Sequence, residues 1–259
     1  MPSTFLKDGL VKLKLKRSIL FLLGQRKMNL LVTYLDRIRS LRGNPSFGQE
    51  GEDRVLASLL LKISSPKLPQ HGFYIDVGAH HPYRYSNTRI FYKRGWRGIN
   101  IDATPGSMVA FRRARPRDIC LEIGIGARHG KQTFYVFNES ALNTFDRALA
   151  LAREIPPWKI ERTIEVPICP LADILQTHMP IGQPIDFLNI DVEGLDMVVL
   201  QSNDWTRFRP KVILVETLAQ SIDGAVSSSV TNFLKSLGYT FYSKTVNTSF
   251  FIDSKYIDS

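Results

Sequence analysis

Short apolar runs alternate with helical patterns along most of this chain. Glu52, Val55, Leu56, Leu59, Leu60 and Ile63 recur at helical spacing. Ser46-Phe-Gly-Gln49 just before them has the form of a capping box, and Pro66 and Pro69 close the segment. Aromatic and β-branched residues at 73–76 predict a buried strand, 86–93 a helix ended by Gly95, and 98–102 a second strand. A basic helix is expected over 107–115, then strands at 119–123, 133–137 and 165–168 and a short helix at 171–176. Residues 138–162 are polar and mixed, which predicts a loop and helix inserted over the site. A strand within 186–191, a helix at 195–201, a strand at 211–216 and a helix at 230–237 continue the alternation. The pattern closes on a hairpin, 239–244 and 249–253, linked through Val246-Asn247. Strands alternating with helices need right-handed crossovers, which gives an α/β, doubly wound, mostly parallel sheet.

Residues 1–45 stand apart from this pattern and read as a basic N-terminal helical arm; 46–259 form the second unit, a single domain. The net charge is +10, and residues 1–43 hold +8 of it. The remaining body is close to neutral, which argues against nucleic acid as a partner. The apolar run at 18–24 is seven residues, far below the roughly 20 that span a bilayer. Two readings stay open for the arm: a basic amphipathic helix on an anionic membrane surface, or an extension packed on the domain. The first makes the protein peripheral at the inner membrane face. Cys120 and Cys169 lack metal-ligand spacing and read as reduced thiols of a cytoplasmic protein.

Candidate chemistry gathers where strands end. Asp76, Asp102, Asp191 and Glu216 each close a strand, and the ends of parallel strands converge on one rim. The first is followed by a tight turn, FYIDVGAHHP (73–82), in which Gly78 is the lone glycine. This falls short of G-x-G-x-x-G and disfavours a dinucleotide, which leaves room for another adenosyl ligand. Asp102 lies 26 positions beyond Asp76, near the spacing at which an acid meets ribose hydroxyls in nucleotide-binding sheets. Asp191, Glu193 and Glu216 offer hard oxygen ligands, but no compact ligand motif accompanies them and no metal is assigned. His71, His81 and His129 read as surface or turn histidines. Phe91, Tyr92 and Trp96 could wall a sugar site, though at helical spacing they favour the core.

GQEGED (48–53), FYIDVGAHHP, SNTRIFYKRGWRGINIDATPGS (86–107), NTFD (143–146) and DFLNIDVEG (186–194) together resemble the FkbM family of S-adenosylmethionine-dependent methyltransferases. The resemblance runs from about residue 46 to about 216 and leaves out the arm. It implies a class I, Rossmann-like methyltransferase with a seven-stranded sheet, and O-methylation of a sugar, glycan, glycolipid or related hydroxyl. It puts Asp76, Gly78, Ala79 and His80 around the methionine part of S-adenosyl-L-methionine, Asp102 at the ribose, and Glu122 and Ile123 beside the adenine. Asp191 and Glu193 come to the methyl-transfer centre. His80 stands where the family usually has Asn. An acceptor hydroxyl needs a base; Asp191 or Glu193 is the candidate, with Glu216 and His80 in reserve. Two other function classes remain: a nicotinamide-dependent oxidoreductase, which needs a fuller glycine fingerprint, and a non-catalytic membrane-associated binding module on the same sheet.

Overall fold

The computed structural model describes residues 45–64, 68–219 and 221–257. The expected arm and the helix stop at Pro66 lie outside the described residues. The body opens on helix α1 (Glu52–Ile63). Its N-terminus departs from the capping-box expectation. Gly51, in left-handed backbone, precedes the helix and offers no side-chain cap. Ser46 Oγ donates instead to Asp53 Oδ1 at 2.6 Å, and the Phe47 amide to Asp53 Oδ2 at 2.9 Å. The acid of the first turn therefore folds the incoming chain onto itself, and the helix begins one residue after Gly51.

The chain then alternates through β1 (Phe73–Val77), α2 (Arg89–Lys93), β2 (Arg97–Asp102), α3 (Ser107–Ala114), β3 (Ile119–Glu122), β4 (Gly124–Ile125) and β5 (Gly130–Phe137). It continues through α4 (Arg147–Arg153), β6 (Ile160–Cys169), α5 (Leu171–His178), β7 (Phe187–Ile190) and α6 (Asp196–Gln201). The last elements are β8 (Val212–Glu216), α7 (Ile222–Val226), α8 (Ser229–Ser236), β9 (Tyr239–Lys244) and β10 (Thr248–Asp253). The main sheet has seven strands in the order β3-β2-β1-β7-β8-β10-β9. The first five pair in parallel, and β10 lies antiparallel to both β8 and β9. This is the mostly parallel α/β sheet with a C-terminal antiparallel hairpin that the alternation predicts.

Both faces of the sheet are covered, which is why β1 and β7 are buried at every position and are apolar except for Asp76 and Asn189. Ile75, Val77, Ile99, Ile101, Leu188, Ile190, Ile213 and Val215 pack on one face against Leu171 and Leu175 of α5, Val199 and Leu200 of α6 and Leu234 of α8. Tyr74, Phe187, Val212, Leu214 and Phe250 pack on the other against Leu56 and Leu60 of α1, Phe91 and Trp96. Phe91 and Trp96 are core residues, packed at a tilt around Phe187, and wall no sugar site.

Three local expectations need correction. The helix expected at 86–93 covers only α2, because Ser86 and Thr88 are buried and spend their hydroxyls on a polar network described below. The strand expected at 165–168 is the ten-residue β6, which pairs with β4 and β5 in a second, three-stranded sheet. Its first three residues, within the supposed insertion, include the exposed Glu161 and Arg162, so its apolar signal is weak. The rest of the insertion is a 3-10 turn at Ser140–Leu142 and helix α4.

Candidate active site

Strand β1 pairs with β2 on one side and β7 on the other, so the chain order reverses there. Crevices at the carboxyl ends of such strands are where open α/β sheets bind ligands. A cleft of about 920 Å³, part of it open to solvent, lies at this point. Asp76, Gly78, Ala79, His80, Asp102, Ile123, Asp191 and Glu193 all line it. Glu122 does not: its residue is exposed, and the strand end turns Ile123 inward instead.

The turn after β1 joins the two sides of the cleft. The amides of Gly78 and Ala79 donate to the Ile101 carbonyl at 2.9 and 3.1 Å, which fixes the turn to β2. On its other side Gly78 meets β7. A Cβ there would lie 1.7 Å from the Asp191 carbonyl oxygen, and the residue has φ +80°. Glycine is required by both counts.

Asp102 is buried at the end of β2. Its Oδ2 accepts the His80 amide at 2.8 Å and its Oδ1 the Thr104 amide at 2.7 Å. Each oxygen keeps a further lone pair for a ligand hydroxyl. His80 has φ +54°, and burial holds its imidazole below the usual histidine pKa, so the ring is neutral at pH 7. His81 Nδ1 accepts the amides of Tyr83 and Arg84, a turn role, and His129 is exposed beside Asp173.

Asp76 sits in a buried polar network. Asn189 Nδ2 donates to its Oδ1 at 2.9 Å and Thr88 Oγ1 to its Oδ2 at 3.0 Å. Burial raises its pKa, opposed by the Asn189 hydrogen bond and by the charge of Arg115. Arg115, at the end of the expected basic helix, is 1% exposed. Its guanidinium donates to Thr88 Oγ1 and Ser86 Oγ at 2.6 and 2.7 Å and to the Pro82 carbonyl at 2.8 Å. It thereby pins the 82–88 loop, whose Tyr85 and Asn87 line the cleft. Asn87 Oδ1 is buried without a partner among the described residues.

The opposite side gathers acids. Asp191 follows β7, Glu216 ends β8, and one oxygen from each lies within 4.8 Å of a Glu193 oxygen and of the other. Burial, then the charges of Glu216 and Glu193, push the Asp191 pKa far above the usual carboxylate range. Burial, then Glu193 and Asp196, push Glu216 up to about 8.

The segment 143–153 holds Glu193. The residue has φ +54°, rare outside glycine and costly by about 1 kcal/mol or more. Thr144 Oγ1 donates to its carbonyl at 2.8 Å, and Arg153 Nη2 to its Oε2 at 2.5 Å. Asn143 bridges the Phe137 amide and Thr104 Oγ1, Phe145 stacks on Phe134 as an apolar cleft wall, and Asp146 caps α4. Each residue of the NTFD motif thus has a structural task that the sequence alone left unassigned.

No helix among the described residues is long and apolar enough to cross a membrane. A search of curated proteins finds no match to this chain. The family model of the methyltransferase FkbM domain matches residues 76–241, from the first cleft carboxylate to the closing hairpin, and the chain belongs to that family of methyl-transferring enzymes.

Proposed function

We propose that the chain is an S-adenosylmethionine-dependent O-methyltransferase acting on a hydroxyl of a sugar, glycan or glycolipid. The observation that carries this reading is Asp102, whose two oxygens are oriented by backbone amides and border the cleft. Such a carboxylate accepts both hydroxyls of a ribose and would repel a 2′-phosphate. The rest of the cleft fits the same cofactor. The unpartnered Asn87 Oδ1 and the nearby Asp76 suit an ammonium group. Ala103, Ile123, Ile125, Phe134 and Phe145 offer an apolar slot for a purine. The turn has no glycine-rich cradle, and the ligand has no pyrophosphate to need one.

The bound cofactor supplies an electrophilic methyl group on a sulfonium. The protein orients the acceptor oxygen and takes its proton as the O–C bond forms and the S–C bond breaks. Glu193 is the favoured base: Arg153 and Thr144 fix it at the cleft, whereas burial beside Glu216 and Glu193 disfavours the ionised form of Asp191. Tyr85, exposed at the cleft edge and stacked on His80 at 6.1 Å, offers a face for a sugar ring. The arm is proposed to bring the enzyme to an anionic membrane; liposome flotation without residues 1–43 tests this, and equal binding of both forms rejects it.

Calorimetry tests the main reading. S-adenosylmethionine or its demethylated product is expected to bind at micromolar concentration, and Asp102→Ala to abolish binding. Binding of NAD in place of either overturns it. Mass spectrometry of cellular glycans with and without the protein then tests the acceptor class.

A further inference from the structure

We propose that Asp191, Glu193 and Glu216 form a binding site for one hard divalent cation of the magnesium, manganese or calcium class. The first ground is geometry. The three carboxylate oxygens lie within 4.8 Å of one another. Oxygens at the corners of a triangle of that size sit about 2.8 Å from its centre, so a small inward movement reaches the 2.3–2.6 Å of calcium–oxygen bonds, and a larger one the shorter magnesium bonds. They arrive from separate backbone positions: the end of β7, the left-handed turn after it, and the end of β8.

The second ground is independent of the clustering. Asp191 Oδ1 and Glu216 Oε2 are buried and accept no hydrogen bond from any described residue. Buried polar atoms are rarely left so, and an unmodified carboxylate is among the most costly to leave. Sharing a proton would be one way to relieve three adjacent acids, yet none of the three carboxyl groups is hydrogen-bonded to another among the described residues. Nearby cations among the described residues do not balance them. Arg153 pairs with Glu193, while the Lys244 ammonium is held by the Thr217 and Thr245 carbonyls. Asp196 and Glu50 add further negative field at Glu216. With all three carboxyl groups ionised, Arg153 offsets one charge and a dication offsets the other two. The hard, all-oxygen donor set selects this cation class over zinc or copper.

Because Asp191 and Glu193 line the cleft, the ion borders the space where an acceptor hydroxyl is expected. That part of the inference rests on the methyl-transfer reading; the binding site itself does not.

The test uses the full chain, stripped with chelator and titrated with Mn²⁺, with free ion followed by electron paramagnetic resonance. One Mn²⁺ per chain is expected, together with a rise in melting temperature. Glu216→Gln and Asp191→Asn are each expected to weaken binding roughly tenfold or more. Asp173→Asn, an exposed acid paired with His129, is expected to leave it unchanged. Absence of stoichiometric Mn²⁺ binding to the wild-type chain overturns the proposal without recourse to any variant. So does binding that survives Glu216→Gln undiminished, since the ion then lies elsewhere. Cofactor calorimetry on the same stripped sample keeps the two readings apart. Cofactor binding with no Mn²⁺ site defeats this inference alone, and a Mn²⁺ site with no cofactor binding defeats the cofactor reading alone.

Discussion

The two sides of the cleft use the same side-chain chemistry in opposite ways. On the β2 side, Asp102 is buried and each of its oxygens takes a backbone amide at under 3 Å. On the β7–β8 side, Asp191 and Glu216 are crowded by like charge and each leaves a buried oxygen unpartnered. A strand-end carboxylate followed by a turn that folds back its amides is ready to accept hydroxyls without further adjustment. One that meets other carboxylates instead is held in a higher-energy state, available to a proton or a cation. The position of an acid at a strand end therefore decides little by itself; the donors that reach it decide its role.

The sharpest way to break this contrast is at the residue that separates the two sides. Gly78→Ala puts a methyl group into the Asp191 carbonyl and asks alanine for a left-handed conformation. It is expected to cost at least about 3 kcal/mol in urea denaturation and to disturb both sides together. Asp102→Ala acts on the ordered side. It strands the His80 and Thr104 amides, with an expected loss of about 2 kcal/mol of stability beside the loss of cofactor binding.

Glu216→Gln acts on the crowded side and is expected to do the reverse. Burial and neighbouring acids raise the Glu216 pKa from 4.5 to about 8 in the folded, metal-free chain. The folded state thus binds a proton that the unfolded state releases. That contribution to stability is complete below pH 4.5 and fades as pH rises to about 8. With chelator present, the variant is expected to be about 2 kcal/mol more stable than wild type at pH 7 and to flatten this slope, as thermal melts across pH 4–9 would read. A variant less stable than wild type at pH 7 would break the contrast. The smallest effect is expected from Thr144→Val, which removes the hydroxyl on the Glu193 carbonyl. About 1 kcal/mol of stability and a several-fold drop in turnover are expected, with cofactor affinity unchanged.

Much of the ordered side is legible in the sequence. The apolar strands, their terminal acids and the spacing from Asp76 to Asp102 follow from local pattern, and the sheet order carries them to one rim. Gly78 is legible as a requirement for a small residue, though its nearest constraint proves to be the Asp191 carbonyl. What pattern misses is set by partners far away in the chain. The pattern gives Arg115 only as the end of a basic helix; its acceptors lie at 82–88 and bury it. Of the pair that the resemblance places beside the adenine, Ile123 lines the cleft and Glu122 is exposed. Ser46 looks like a helix cap because the motif cannot say which way Asp53 will turn. The crowding of Asp191 and Glu216 depends on β7 and β8 being neighbours, which no local spacing records.

Thr144 and Arg153, which together fix Glu193, both come from the segment laid over the cleft rather than from the sheet. The same segment contributes Ser140, Ala141 and Phe145 to the cleft wall. Divergence toward new acceptors by exchange of this segment would therefore carry its own setting of the Glu193 carboxylate with it. Partial grafts that keep the wall but drop Thr144 and Arg153 should yield proteins that bind new acceptors and fail to turn them over.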